Sequence, residues 1–118
     1  MNRLYLNSDF LLLPTRAEAF GIAHGEACAC GLPVISTEVG GVPDVIEHGK
    51  NGYLLHLEAG GRQYAELIRD IFHDEKRYRE LSHAARNALE QCLNWDKWAE
   101  RLKEVTLPIL AEGRAPVQ

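Results

Sequence analysis

Glu18 and Glu26 stand eight positions apart, on either side of Gly21, within the stretch AEAFGIAHGEACACGLPVIS that runs from Ala17 to Ser36. Gly21 opens a helical stretch. The head of a helix carries backbone N–H groups without intrahelical partners and about half a positive charge from the aligned peptide dipoles, so an anion such as phosphate is stabilised there. Gly21 has no Cβ and lets a ligand approach the main chain closely, and Ala19 is nearly as small. Glu18 projects from the loop before the helix, while Glu26 lies about one and a half turns into it. Each carboxylate accepts two hydroxyl hydrogen bonds, and the vicinal diols of a sugar or a ribose present that pair. The ligand suggested is a sugar, a phosphate and a ribose in a row. A blander reading competes: Glu18 is a helix-start acid favoured by the dipole and Glu26 a surface acid, and spacing alone favours it.

Composition removes several classes. The 118 residues form one small domain, 46% hydrophobic and 25% charged, with 17 acids against 13 bases and a net charge of −4. With no basic cluster, neither nucleic acid nor an anionic membrane is implied as a partner. MNRLYLNSDF has no sustained apolar core, and no later run reaches the ~20 apolar residues that span a bilayer. The expected location is cytoplasmic, at most peripheral at the inner membrane face. Three cysteines, Cys28, Cys30 and Cys92, are an odd number and read as reduced thiols. Cys28 and Cys30 diverge on a helix and are simplest as small buried residues. None of the five histidines has ligand spacing, so no metal and no other cofactor is expected. His24, inside the motif helix, reads as a packing or surface residue rather than an acid or base. G-x-G-x-x-G and G-x-S-x-G are both missing, which argues against a nicotinamide enzyme and a serine hydrolase.

The elements that must hold the two acids follow from periodicity. Residues 10–13 are a short apolar strand of the kind covered on both faces, 14–20 a loop, and Gly21 starts a helix that Gly31 ends as a left-handed cap. Pro33–Ser36 is a second strand. Gly40-Gly41 turn into a short helix begun by Pro43 and closed by Gly49, and a third strand lies near Tyr53–Leu55. This alternation predicts an α/β fold with a parallel sheet and right-handed crossovers. After Leu57 only helices follow. Tyr64, Leu67, Ile68, Ile71 and Phe72 make one apolar stripe, and Tyr78, Leu81, Ala85, Ala88 and Cys92 a second. A last helix, capped by Asn94, carries Trp95, Trp98, Leu102, Val105 and Ile109 on one face. Glu75 with Arg79 and Lys76 with Glu80 read as solvated pairs. Three short strands are too few to bury an all-apolar strand, which points to missing neighbours.

The stretch from Asp9 to Leu55 closely resembles the C-terminal domain of the retaining nucleotide-sugar glycosyltransferases of the GT-B fold, the large group known as glycosyltransferase family 4. Glu18 and Glu26 match the family's E-x7-E motif. Phe20-Gly21, Gly31-x-Pro33-Val34-Ile35, Gly40-Gly41 and Gly49-x-Asn51-Gly52 follow in the family's order, and Trp95 fits the usual start of the final helix.

The resemblance implies a partial Rossmann-like domain over 1–112, half of a GT-B C-terminal domain, with a frayed tail at 113–118. It implies that Glu18 contacts donor-sugar hydroxyls beside the reacting carbon, in the catalytic position, and that Glu26 binds the ribose. Phe20, Gly21 and Ile22 would meet the sugar and diphosphate through their amides, and Gly40 and Gly41 would form the crevice rim; for the glycine pair a plain turn is as good a reading. The substrate would be a nucleotide diphosphate sugar and the reaction glycosyl transfer to an acceptor hydroxyl with retention, without a metal. The sequence departs from the family at Ala19, His24 and Asp44. In the family, the acceptor sits on an N-terminal domain and basic residues of earlier strands neutralise the diphosphate; Arg16 and Lys50 are weak substitutes here. A chain lacking those parts is expected to have little activity alone. The alternative is a non-catalytic module that self-associates, as a homodimer or larger oligomer, through the bare Phe10–Leu13 strand.

Overall fold

The computed structural model describes residues 2–92 and 94–111. Strands β1 (Leu11–Leu13), β2 (Val34–Thr37) and β3 (Gly52–Leu55) form one parallel sheet in the order β1-β2-β3. Leu11 lies opposite Val34, and Val34 opposite Gly52. Helix α2 (Ile22–Ala29) makes the first crossover and helix α3 (Val42–Val45) the second. Gly52 is needed where β3 meets β2, since a Cβ there would run into the Val34 carbonyl oxygen.

Alternation along the strands divides the core into two layers. Val34 and Leu54 face α2 and α3, packing with Ala27, Cys28, Leu32 and Val42. Ile35 and Tyr53 face the other way, against Tyr64 and Ile71 of helix α4 (Gly61–Phe72). Helix α5 (Glu75–Cys92) serves both layers, with Ala85 in the first and Leu81 in the second. Arg77 on α5 also donates to the Tyr53 hydroxyl from Nε at 2.8 Å.

Local chemistry sets the ends. Gly31, at φ 74°, donates to the Cys28 carbonyl at 2.9 Å while Leu32 donates to Ala27 at 3.0 Å, the paired bonds of a left-handed helix stop. The Asn94 carboxamide accepts from the Lys97 amide at 2.8 Å and caps helix α6 (Trp95–Ala111).

Several expectations change. Strand β1 is not covered on both faces: its one strand neighbour among the described residues is β2, and Leu12 is 46% exposed. The short helix stops at Val45 rather than Gly49, because the buried Asn51 side chain takes over the turn. It donates to the Val45 carbonyl at 3.0 Å and accepts from the Glu47 amide at 2.7 Å. Phe72 is exposed, so the α4 stripe ends at Ile71. The Cys92 side chain and the tail at 113–118 lie outside the described residues. Cys28 is buried and its thiol is pushed up to about 11 by that burial, as an inert packing residue would be. A helix without a sequence signal, α1 (Asn2–Leu6), precedes the sheet and sends Tyr5 into the first layer. On α6, Trp95, Trp98, Leu102, Val105 and Ile109 are all exposed.

Candidate functional site

Parallel strands bring the loops after β1 and β2 to the same edge of the sheet. The Thr15 amide at the start of the first loop donates to Thr37 Oγ1 at 3.1 Å, tying it to the end of β2. Further along, the Gly41 amide donates to the Glu18 carbonyl at 3.1 Å. A Cβ on Gly40 would collide with the Glu18 carbonyl oxygen, and one on Gly41 with that of Ala19. Gly40 also has φ 52°, in the left-handed region. The glycine pair is therefore a seat on which the backbone carrying Glu18 rests, with no room for a side chain between.

Glu18 is half-buried and its Oε1 accepts from the Gly21 amide at 3.1 Å. That bond, helped by the Phe20 and Ala19 amides and by nearby His24, holds its carboxyl below the usual carboxylate range against the opposing effect of desolvation. Gly21 is left-handed, at φ 78° and ψ 46°, and no side chain caps α2. Among the described residues, the Ile22, Ala23 and His24 amides have no acceptor, so the head of α2 keeps unpartnered donors beside an ionised carboxylate. Phe20 and Ile22, 65% and 68% exposed, flank it. Glu26 is exposed one turn beyond Ile22, on the side of α2 opposite buried His24, Ala27 and Cys28. Its Oε2 accepts from the Tyr5 hydroxyl at 3.1 Å.

His24 is fully buried, and its Nε2 lies 2.9 Å from Ser36 Oγ. Ser36 gives its one proton to the Leu13 carbonyl at 2.7 Å, so Nε2 carries the imidazole proton and Nδ1 is a bare acceptor. Nδ1 is buried with no hydrogen-bond partner, and it would sit 3.1 Å from a Cβ on Gly21. Burial lowers the His24 pKa, with Glu18 opposing, and the ring is neutral at pH 7. It is buried between α2 and β2, and through Ser36 it is linked to the Leu13 carbonyl of β1.

Arg16 is exposed on the Glu18 loop, and Lys50 is paired with Glu47 at 2.9 Å in solvent. A cleft of about 380 Å³ opens between Pro43–Asn51 and α5, away from both motif acids. Among the described residues no three His, Cys, Asp or Glu side chains gather as a metal site would require. Sequence reasoning passed over Tyr5, Ser36 and Thr37, whose contacts span 12 to 27 positions and leave no local periodic signal.

A helix head and a flanking acid thus lie at the carboxyl edge of a parallel sheet, the edge at which open α/β folds bind their ligands. The chain belongs to the glycosyl transferases group 1 family, whose model matches residues 1–88. It is 38% identical over 104 residues to spore coat protein SA of Bacillus subtilis, covering 87% of this chain and 28% of that protein. It is 33% identical to N-acetyl-alpha-D-glucosaminyl L-malate synthase of Bacillus anthracis over 91% of this chain and 28% of that one. Sucrose-phosphate synthase of Thermosynechococcus elongatus superposes with a TM-score of 0.78 at 27% identity, over 92% of this chain and 27% of that one. Anabaena HepE, solved in complex with UDP-glucose, shares the fold at a TM-score of 0.74 and 24% identity, over 90% of this chain and 29% of that one. The chain thus spans little more than a quarter of the length of these relatives, and its sheet is part of a GT-B Rossmann-like domain.

Proposed function

We propose that this chain, over residues 1–112, is the donor-binding part of a retaining glycosyltransferase and holds a nucleotide diphosphate sugar. The observation that carries the reading is the head of α2, where the Glu18 carboxylate is seated on the Gly21 amide beside unpartnered donors. The free amides of Ile22, Ala23 and His24 receive the diphosphate, Phe20 and Gly21 line the approach of the sugar, Glu18 grips sugar hydroxyls near the anomeric carbon, Glu26 takes the ribose diol, and Gly40 and Gly41 set the rim. The chemistry is transfer of the glycosyl group to an acceptor hydroxyl as the bond to the diphosphate breaks. The protein contributes position and stabilises the charge that builds on the leaving group. UDP is the first nucleotide to try, since HepE of the same fold was solved in complex with UDP and with UDP-glucose. The location we propose is cytoplasmic; separately, no described helix is long and apolar enough to cross a membrane.

Isothermal titration with a panel of nucleoside diphosphates tests this. The expected result is binding of one of them, weakened about tenfold or more by Glu26→Ala, the weight of a hydrogen bond to a charged group. Absence of heat with every member of the panel at millimolar concentration would overturn it.

A second reading, self-association as a non-catalytic module, is favoured by two observations among the described residues: the exposed apolar stripe of α6, and the edge of β1 that no strand pairs. It leaves assembly intact in Glu26→Ala, whereas the first reading predicts lost nucleotide affinity there.

A further inference from the structure

Tyr5 stands on a five-residue helix that is too short to be stable by itself. What α1 contributes is one ring. Tyr5 is 7% exposed and packs in the first core layer with residues of α2, α3 and α5. Its hydroxyl emerges from that layer against Glu26 Oε2 at 3.1 Å. Burial first, and then the Glu26 carboxylate, raise the phenol pKa, so the hydroxyl keeps its proton and donates. Glu26 is otherwise a glutamate on an exposed helix face with three free torsions. A ring locked in the core by two torsions holds one of its oxygens and leaves the other open to solvent.

We propose that Tyr5 is a positioning residue for Glu26, fixing the carboxylate so that its free oxygen meets a ribose hydroxyl of the bound nucleotide. This rests on the donor-binding reading above, in which Glu26 takes the ribose. A purely structural tie between α1 and α2 would use the same bond, so the test must read the ribose itself.

The measurement is the affinity of the full chain for UDP relative to 2′,3′-dideoxy-UDP, in the wild type, Tyr5→Phe, Glu26→Asp and the double variant. Glu26→Asp draws the carboxylate back by one methylene on an exposed face and keeps its charge, so it reports even where Tyr5→Phe folds poorly. The wild type is expected to prefer UDP, and each single variant to lose about fivefold of that preference, one hydrogen bond's worth, with dideoxy-UDP affinity unchanged. The double variant is expected to lose no more than either single one, because both changes undo the same placement. A preference that survives Tyr5→Phe or Glu26→Asp, or a Tyr5→Phe loss equal for both ligands, would sink the positioning role while leaving the donor site standing. A wild type indifferent to the ribose hydroxyls, or one that does not bind UDP, would instead remove the reading beneath it and the Tyr5 role with it.

Discussion

His24 is the residue whose surroundings say most about pH. In the unfolded chain its imidazole titrates near 6.5, whereas in the fold burial lowers that value. The unfolded state therefore binds more protons between the two values. The contribution of neutral His24 is fully present above about pH 6.5 and is lost as pH falls through the folded value. Glu18 acts with the same sign in a lower window: its folded pKa is depressed, so its contribution holds above about 4.5 and is lost below. Replacing His24 by leucine removes the first window only. His24→Leu forfeits the Nε2 bond to Ser36, worth about 1 kcal/mol, but also removes the orphaned Nδ1. Its stability at pH 7 is expected to be within about 1 kcal/mol of wild type, and urea melts from pH 7 to 5 should show a flatter decline. Equal slopes for the two proteins would show that His24 does not titrate as described.

At the scale of elements, the site depends on two loops lying backbone to backbone. Gly41 has an ordinary φ of −83°, so alanine there brings no torsional penalty, and its methyl runs straight into the Ala19 carbonyl. Gly41→Ala should cost about 1–3 kcal/mol, the usual charge for overpacking, and shift the loop that carries Glu18. Gly49 is the control: it has φ 83° with nothing near its missing Cβ. Gly49→Ala should cost about 1–2 kcal/mol from the left-handed backbone alone and leave nucleotide affinity unchanged. Thermal melts and titrations of the pair separate the effects. Unimpaired binding in Gly41→Ala would mean the glycine seat does not hold the site.

For the whole molecule, the two faces of the sheet are unequal to the apolar surface the chain carries. Both layers close around β2, buried at all four residues, yet α6 leaves Trp95 82% and Trp98 56% exposed. Such a patch on a chain of 118 residues favours association. Light scattering at micromolar concentration should give a mass above 13.2 kDa, falling toward it in Trp98→Lys. A monomer in both proteins would remove the self-association reading and leave α6 without a partner of its own kind.

Much of this protein is legible in its sequence. The order of strands and helices, the Gly31 stop, the Asn94 cap and the parallel sheet follow from short-range rules: a left-handed turn wants glycine, an N-cap wants a side-chain oxygen, and a buried strand wants an apolar run. The ordered run of motifs from Asp9 to Leu55, and not the spacing of the two acids by itself, was enough to name a family. What the chain's order alone could not decide are the contacts made between distant segments. That Gly40 and Gly41 are a seat for Glu18, that Ser36 sets the His24 tautomer, and that Tyr5 reaches Glu26 all arise where segments 12 to 23 positions apart in the chain meet in the fold. Periodicity reports which face a residue shows, and only folding reports what stands opposite it.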